Sequence, residues 1–151
     1  MQPPKLEKFI ELDVQLDPIT EMGEGRAGKR RIIPIMGGYF KGKISGRVLS
    51  VGADWQTIFA DGLAELDTRY ALETEDGAII EVINYGLRHG PAEVMEQLAK
   101  GEAVPPDAYY MRTHARLETG DPRYLHLNRT LFVGTGQRMA SSVHIELFSL
   151  L

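Results

Sequence analysis

Three polar residues of different chemical types, Asp54, Arg69 and Asn84, lie in three consecutive segments that alternate polar and apolar residues. Asp-Gly pairs separate these segments, and a two-residue hairpin loop at each pair would set Asp54 opposite Arg69 and Arg69 opposite Asn84. The carboxylate could then accept a proton while the guanidinium and the carboxamide hold a carboxylate or stabilise an oxyanion. The spacing therefore predicts Asp54, Arg69 and Asn84 as catalytic residues.

The same row of side chains has a structural interpretation. A cross-strand ladder of Asp, Arg and Asn is also how a sheet pairs the polar groups that it buries. An adjacent guanidinium would lower the pKa of Asp54 and weaken it as a base, and a register error of one residue would move the row onto opposite faces. The row is open to both interpretations. In this register Trp55 and Tyr70 lie on the other face, as packing aromatics.

The elements that must position these residues are short, alternating and separated by glycine. Alternation predicts nine strands, and the segment from Pro91 to about Gly101 has the apolar stripe and the terminal residues of a helix. We predict an all-β fold, a closed antiparallel barrel of about 8 to 10 strands with one short helix at about residues 91–100, as a single domain over residues 1–151. Residues 22–30 are predicted as a loop. The predicted strands are Lys5–Leu16, Ile32–Ile35, Tyr39–Leu49, Asp54–Ala60, Leu63–Glu75, Ala78–Arg88, Ala108–Glu118, Tyr124–Val133 and Ser142–Leu150.

Composition excludes several classes of protein. The chain has no cysteine, so thiol nucleophiles and cysteine-ligated zinc are excluded. A net charge of -4 argues against nucleic-acid binding, which favours basic domains. No apolar run approaches the length of a membrane span, and the first residues resemble neither a signal peptide nor a transit peptide, so we expect a cytoplasmic protein without a membrane partner.

Metal and nucleotide sites find little support in the spacing of residues. His114, His126 and His144 fall on the last predicted strands, but no His-x-His or HExxH pattern supports a metal site. The glycine-rich segments GEGRAG and GTGQR are not followed by a helix, which a phosphate-binding loop requires. We therefore predict neither a metal nor a cofactor.

Several motifs resemble one known family. The runs RIIPIMGGYFKGKISGRVLSVGADWQ, DGLAELDTRYALETEDGAIIEVINYGLR and YYMRTHARLETGDPRYLHLN are similar to the family named for domain of unknown function 3237, also called UPF0311, over nearly the whole chain. The stretch YYMRTHARLE departs from the family pattern. The resemblance implies a β-barrel that is often a homo-oligomer and whose activity is largely unassigned. Matching positions that we expect to bind substrate are Gln56, Tyr70, Arg112 and Asn128.

Together these observations predict a barrel that binds a small organic ligand and is a homo-oligomer, with a dimer as the expected form. If it is an enzyme, the residue types favour metal-independent proton-transfer chemistry, such as isomerisation, cyclisation or elimination, on a carbonyl or carboxylate compound. Two alternatives are a non-catalytic ligand carrier or sensor and a structural oligomerisation module. The last of these predicts a barrel filled by its own side chains.

Overall fold

Nine antiparallel strands account for most of the chain in the computed structural model, which describes residues 1–151. One helix and two short 3-10 turns, Pro106–Ala108 and Leu125–Arg129, complete the structure. The elements are β1 Leu6–Leu16, β2 Thr20–Glu24, β3 Lys29–Gly42, β4 Gly46–Ile58, β5 Ala64–Thr74, β6 Ile79–His89, α1 Ala92–Ala99, β7 Tyr110–Glu118, β8 Phe132–Arg138 and β9 Ser142–Leu150.

Eight of these strands close into a barrel. The sheet runs in the order β1-β9-β8-β7-β6-β5-β4-β3-β2, and β1 also pairs with β3, which closes the ring. β1 pairs with the second half of β3, from Ile35 to Gly42, whereas the extra strand β2 pairs with its first half, from Lys29 to Ile32. Closure leaves few exposed strand edges, and the predicted all-β barrel is confirmed.

The two Asp-Gly hairpins have loops of three residues, so the predicted register is wrong by one. Phe59 pairs with Leu63 across the first loop, and Thr74 pairs with Ala78 across the second. Gly62 and Gly77 each have a φ of 90°, whereas neither Asp61 nor Asp76 has a positive φ. A type I′ turn needs positive φ at both central residues, so the chain instead uses a type I turn followed by a left-handed glycine.

The barrel interior is apolar at one end and polar at the other. The apolar end contains large buried side chains such as Phe40, Leu72, Ile80, Phe132 and Leu147. Along β5 and β6 the inward positions change from Leu72 and Ile80 to Thr68, Asn84 and Arg88 as the strands approach the first hairpin. The polar half therefore lies at the end that carries the Asp61-Gly62 turn.

Three predicted elements differ in the structure. The predicted strand Tyr39–Leu49 is divided by a turn at residues 43–45, so that its two parts belong to β3 and β4. The segment predicted as a strand from Tyr124 to Val133 contains the 3-10 turn, and β8 begins only at Phe132. The Asn128 side chain accepts a hydrogen bond from the Thr119 backbone N–H and donates one to the Thr119 carbonyl, both at 2.9 Å. These two hydrogen bonds replace those that the backbone of a paired strand would make. Of residues 22–30, predicted as a loop, residues 25–28 form the connection, whereas 22–24 belong to β2 and 29–30 to β3.

The predicted helix is confirmed as α1, Ala92–Ala99. It follows β6 at the polar end of the barrel and buries Leu98 against a second apolar cluster that includes Ala64, Tyr109 and Met111. With eight residues it is too short to cross a bilayer, and no other α-helix is present.

Candidate functional site

A cavity of about 40 Å³ lies inside the polar half of the barrel. This space holds about three water molecules. Apolar side chains from β1, β3 and β9 form part of its wall, and strands β4 to β8 supply the polar part. The polar lining residues are Asp54, Gln56, Thr68, Tyr70, Asn84, Arg88, Thr113 and Arg138.

The observed register decides which side chains of β4, β5 and β6 meet in this cavity. Asp54 pairs with Thr68, and Thr68 pairs with Asn84. Arg69 pairs instead with Ala53 and Ile83, on the outer face. The row predicted as Asp54, Arg69 and Asn84 therefore contains a threonine hydroxyl in place of the guanidinium.

Asp54 is held in place by hydrogen bonds from Gln56 and from the backbone of Asp67. Gln56 Nε2 donates to Asp54 Oδ2 at 2.6 Å, and the backbone N–H of Asp67 donates to Oδ1 at 3.0 Å. Gln56 is oriented in turn because its Oε1 accepts a hydrogen bond from Arg31 Nε at 2.8 Å. These contacts fix the direction of the carboxylate within the barrel.

The pKa of Asp54 is raised above its ordinary value. Burial disfavours the ionised form, and this effect exceeds the opposing effects of the Gln56 hydrogen bond, the Thr68 hydroxyl and the positive charge of Arg88. A carboxylate with a raised pKa is a stronger base when it is ionised, which suits proton abstraction near neutral pH.

Four buried polar atoms have no hydrogen-bond partner within the protein, and all four belong to residues that line this cavity. They are Tyr70 Oη, Asn84 Oδ1, Arg88 Nε and Thr113 Oγ1. An unpartnered buried polar atom costs about 1 to 3 kcal/mol, so native structures contain few of them. Their convergence on one space makes the cavity the candidate binding site.

Three arginines gather at the open end of the cavity. Arg88 is 8% exposed, and burial, together with the positive charges of Arg31 and Arg138, lowers its pKa to about 10. Burial also lowers the pKa of Arg31 and of Arg138. The site therefore concentrates positive charge that Asp54 offsets only in part.

A larger chamber of about 740 Å³, here called the vestibule, adjoins the cavity and shares Leu16, Ile33, Arg88 and Arg138 with it. Helix α1, the segment between β1 and β2, and the β8–β9 turn form its walls, with Ile19, Met95, Leu98 and Ala140 among the lining residues. The cavity and the vestibule are therefore neighbours at the polar end of the barrel.

The structure brings together four of the predicted site residues: Asp54, Asn84, Gln56 and Tyr70 line the cavity. The remaining three predicted residues lie elsewhere. Arg69 is exposed on the outer face, 4.0 Å from Glu81. Arg112 is also on the outer face, where its Nη1 donates to the Met111 carbonyl at 2.9 Å. Asn128 lies at the apolar end of the barrel, bonded to Thr119.

The two aromatics predicted to share a packing face are separated. Tyr70 points into the barrel on the same face as Asp54, and Trp55 points outward with 43% of its surface exposed. The cause is again the three-residue hairpin loop, which reverses the faces of β5 relative to β4 in the predicted register.

Sequence reasoning missed Thr68, Arg88, Thr113, Arg138 and Arg31. A signal existed for Arg88, since it alternates with Asn84 along β6 and therefore shares its face. Thr113 was hidden within an apolar face of β7, and Arg138 within a segment that is glycine-rich and was not predicted as a strand.

The three histidines considered as metal ligands lie on separate elements: His114 on β7, His126 on a 3-10 turn and His144 on β9. His144 Nδ1 lies 3.0 Å from Asp13 Oδ1. Its ring also lies near Glu11 and Glu146, but Lys8 already pairs with both of those carboxylates, at 2.9 and 2.7 Å.

A comparison with protein families matches residues 4–150 to the family described as "Protein of unknown function (DUF3237)". UPF0311 protein RPA1785 from Rhodopseudomonas palustris is 46% identical over 141 residues, which cover 93% of this chain and 92% of that protein. The crystal structure of RPA1785 superposes with a TM-score of 0.94 and full coverage of both chains.

Two further crystal structures share the fold. A β-barrel-like protein from Acinetobacter baumannii is 45% identical, with a TM-score of 0.88 and coverage of 100% of this chain and 98% of that one. A protein described as an enzyme from Penicillium herquei has a TM-score of 0.75 at 21% identity, and the match covers 100% of this chain and 97% of that one. At that identity the likeness concerns the fold alone.

Proposed function

The chain belongs to the DUF3237 family, whose function is unknown, and from the geometry of its own site we propose that it binds a small organic molecule and catalyses proton transfer on it. The molecule carries a carbonyl or carboxylate group. Asp54 acts as the base, and the unpartnered donors of the cavity, on Tyr70, Arg88 and Thr113, bind the oxygen atoms of the ligand. We propose that the protein carries out this activity in the cytoplasm.

The observation that carries the proposal is the convergence of four unpartnered buried atoms on the cavity beside Asp54. Three of these atoms can donate a hydrogen bond to a carbonyl or carboxylate oxygen: Tyr70 Oη, Thr113 Oγ1 and Arg88 Nε. When Asp54 removes a proton from the carbon next to a carbonyl, negative charge develops on the carbonyl oxygen, and Arg88 is placed to stabilise it.

The arrangement of the interior also bears on the structural alternative. A module that serves only in oligomerisation would fill its barrel with well-packed apolar side chains. Here only one half is filled in this way, and the other half surrounds a polar cavity. A polar cavity lined by unsatisfied groups weakens the fold, and a binding role accounts for it.

The proposal is tested with 4-phenyl-2-oxobutanoate, which has a carboxylate, a carbonyl with exchangeable neighbouring protons, and an apolar body. The protein should accelerate exchange of the C3 protons in D₂O, followed by proton NMR. Asp54→Asn should abolish the acceleration while circular dichroism shows a folded barrel. Asp67→Asn is the matched control, because Asp67 is exposed and contributes only its backbone N–H to Asp54. It should retain activity.

Two outcomes would contradict the proposal. Exchange that proceeds equally with and without the protein would remove the proton-transfer function for this class of compound, and binding without exchange would favour a carrier. If Asp54→Asn fails to fold, Asp54→Glu provides the second variant, since it keeps the carboxylate but moves it by one methylene. Unchanged exchange by that folded variant would argue against Asp54 as the positioned base.

We also propose that the protein is a homodimer. Support comes from large apolar side chains on the outer face of β3 and β4, where Met36, Val51 and Trp55 are 48%, 52% and 43% exposed. Large exposed apolar patches mark protein contacts, and we propose that these side chains form one. Sedimentation velocity should give a dimer, and Trp55→Glu should shift it to a monomer. A monomeric wild-type protein at all concentrations would contradict this part of the proposal.

A further inference from the structure

We propose that the ligand is an organic anion with an apolar body, whose charged group binds among Arg88, Arg138 and Arg31 while its body occupies the vestibule. This inference rests on the proposed function, that the barrel binds a small molecule, and it defines the chemical class and the orientation of that molecule.

The first argument is the charge balance of the site. None of the three arginines has a carboxylate within ion-pair distance, since every ion pair in the structure involves other residues. Asp54 is the single carboxylate that lines the cavity, whereas Arg88 and Arg138 both line it, so a net positive charge remains there. The carboxylates of the vestibule, Asp17, Glu21 and Glu96, lie outside the cavity, and Glu21 offsets part of the charge of Arg31.

The second argument is the burial of Arg88. This side chain is 8% exposed and lines both the cavity and the vestibule, and its Nε has no partner. Buried charges are normally paired, and guanidinium groups bind carboxylates and phosphates through matched pairs of N–H donors. An oxyanion at this position would supply both the missing countercharge and the missing acceptor.

The third argument is the difference in size between the two chambers. The cavity of about 40 Å³ admits a group the size of a carboxylate but no larger body. The vestibule of about 740 Å³ lies within the range of small-molecule sites, about 300 to 1,000 Å³. Its wall includes the apolar residues Ile19, Met95 and Leu98 as well as three carboxylates. Because Arg88 and Arg138 line both chambers, the charged group of the ligand points inward and its apolar body outward.

The test compares three probes by isothermal titration calorimetry at constant ionic strength: 4-phenylbutyrate, its neutral amide 4-phenylbutyramide, and acetate. The wild-type protein should bind phenylbutyrate about tenfold or more tightly than the amide, because the amide lacks the charge. It should also bind phenylbutyrate more tightly than acetate, because acetate has no body to fill the vestibule.

Variants assign the preference to the site. Arg88→Met should remove the preference for the carboxylate over the amide, and Arg138→Met should weaken it. Arg69→Met is the matched control, since Arg69 is an exposed arginine on the outer face of the same barrel, and it should bind as the wild type does. Ala140→Trp, at the vestibule, should weaken phenylbutyrate binding and leave acetate binding unchanged.

The outcomes separate this inference from the function on which it rests. Equal binding of the carboxylate and the amide, or a preference that survives in Arg88→Met, would overturn the anion assignment and leave the small-molecule function standing. Unchanged phenylbutyrate binding in Ala140→Trp would overturn the orientation of the body. If no probe binds and 4-phenyl-2-oxobutanoate shows no exchange, both the inference and the proposed function are wrong.

Discussion

Replacing Arg88 with methionine should make the unliganded protein more stable. Burial and the neighbouring arginines lower the pKa of Arg88 from its usual value to about 10. Each pKa unit corresponds to about 1.4 kcal/mol, so the charged side chain costs the folded state about 3 kcal/mol at pH 7. Methionine fills a similar length without the charge, and buried ionic groups replaced by apolar ones give gains of about 1 to 4 kcal/mol.

The expected gain is large enough to measure by thermal unfolding. For a chain of this size, 1 kcal/mol shifts the midpoint by about 2 to 4 °C, so Arg88→Met should raise it by about 6 to 12 °C. Arg69→Met is again the control and should change it little, because that side chain is 68% exposed. The measurement is differential scanning calorimetry of extensively dialysed protein, which removes any bound anion.

The pH dependence provides a second check on the same reasoning. The folded-state pKa of Arg88 is lowered, so the cost of its charge is fully present below pH 10 and disappears as the pH rises through about 10 toward the higher pKa of the unfolded chain. The difference between Arg88→Met and the wild type should therefore be constant from pH 7 to 9 and shrink above pH 10. A midpoint that falls in Arg88→Met at pH 7 would refute the argument, because it would show that Arg88 is stabilised by contacts within the protein.

Three further results are expected. Arg88→Met should raise the pKa of Asp54 further, because burial already raises it and the charge of Arg88 opposes that rise; the carboxyl carbon shift in a ¹³C NMR titration reports it, and an unchanged pKa would place the two groups too far apart to interact. Thr113→Val should stabilise the unliganded protein by about 1 kcal/mol in urea unfolding, since it removes an unpartnered buried hydroxyl; a loss of stability would indicate a hydrogen bond at that hydroxyl. Gly77→Ala should lower the free energy of unfolding by about 1 kcal/mol, because Gly77 has a φ of 90° but its Cβ would meet open space. Gly52→Ala should lower it several times more, because a Cβ there would lie 2.0 Å from the Arg69 carbonyl oxygen. Equal losses of stability in urea unfolding would contradict this contrast.

The alternating pattern was sufficient to predict the kind of fold. Apolar residues recur with a period of two along the strands that contain Leu12 and Val82, and that period identifies strands wherever one face is buried. The helix at Ala92–Ala99 was also predictable, because its apolar residues and terminal glycine act locally. The 3-10 turn around Asn128 was not predictable. Its residues alternate polar and apolar as those of a strand do, but the Asn128 side chain makes the hydrogen bonds that a neighbouring strand would make through its backbone.

Which residues line the site depended on the register of the hairpins, which the alternating pattern does not specify. An Asp-Gly pair is compatible with a two-residue or a three-residue loop, and the difference of one residue moved Arg69 outside and placed Thr68 and Tyr70 inside. Composition and spacing determined that the chain is a β-barrel and that Asp54 and Asn84 lie on inward faces near one end. Only the closure of the barrel brought Arg31, Arg88 and Arg138 together, because their strands are distant in sequence and become neighbours across the interior when β1 and β3 pair.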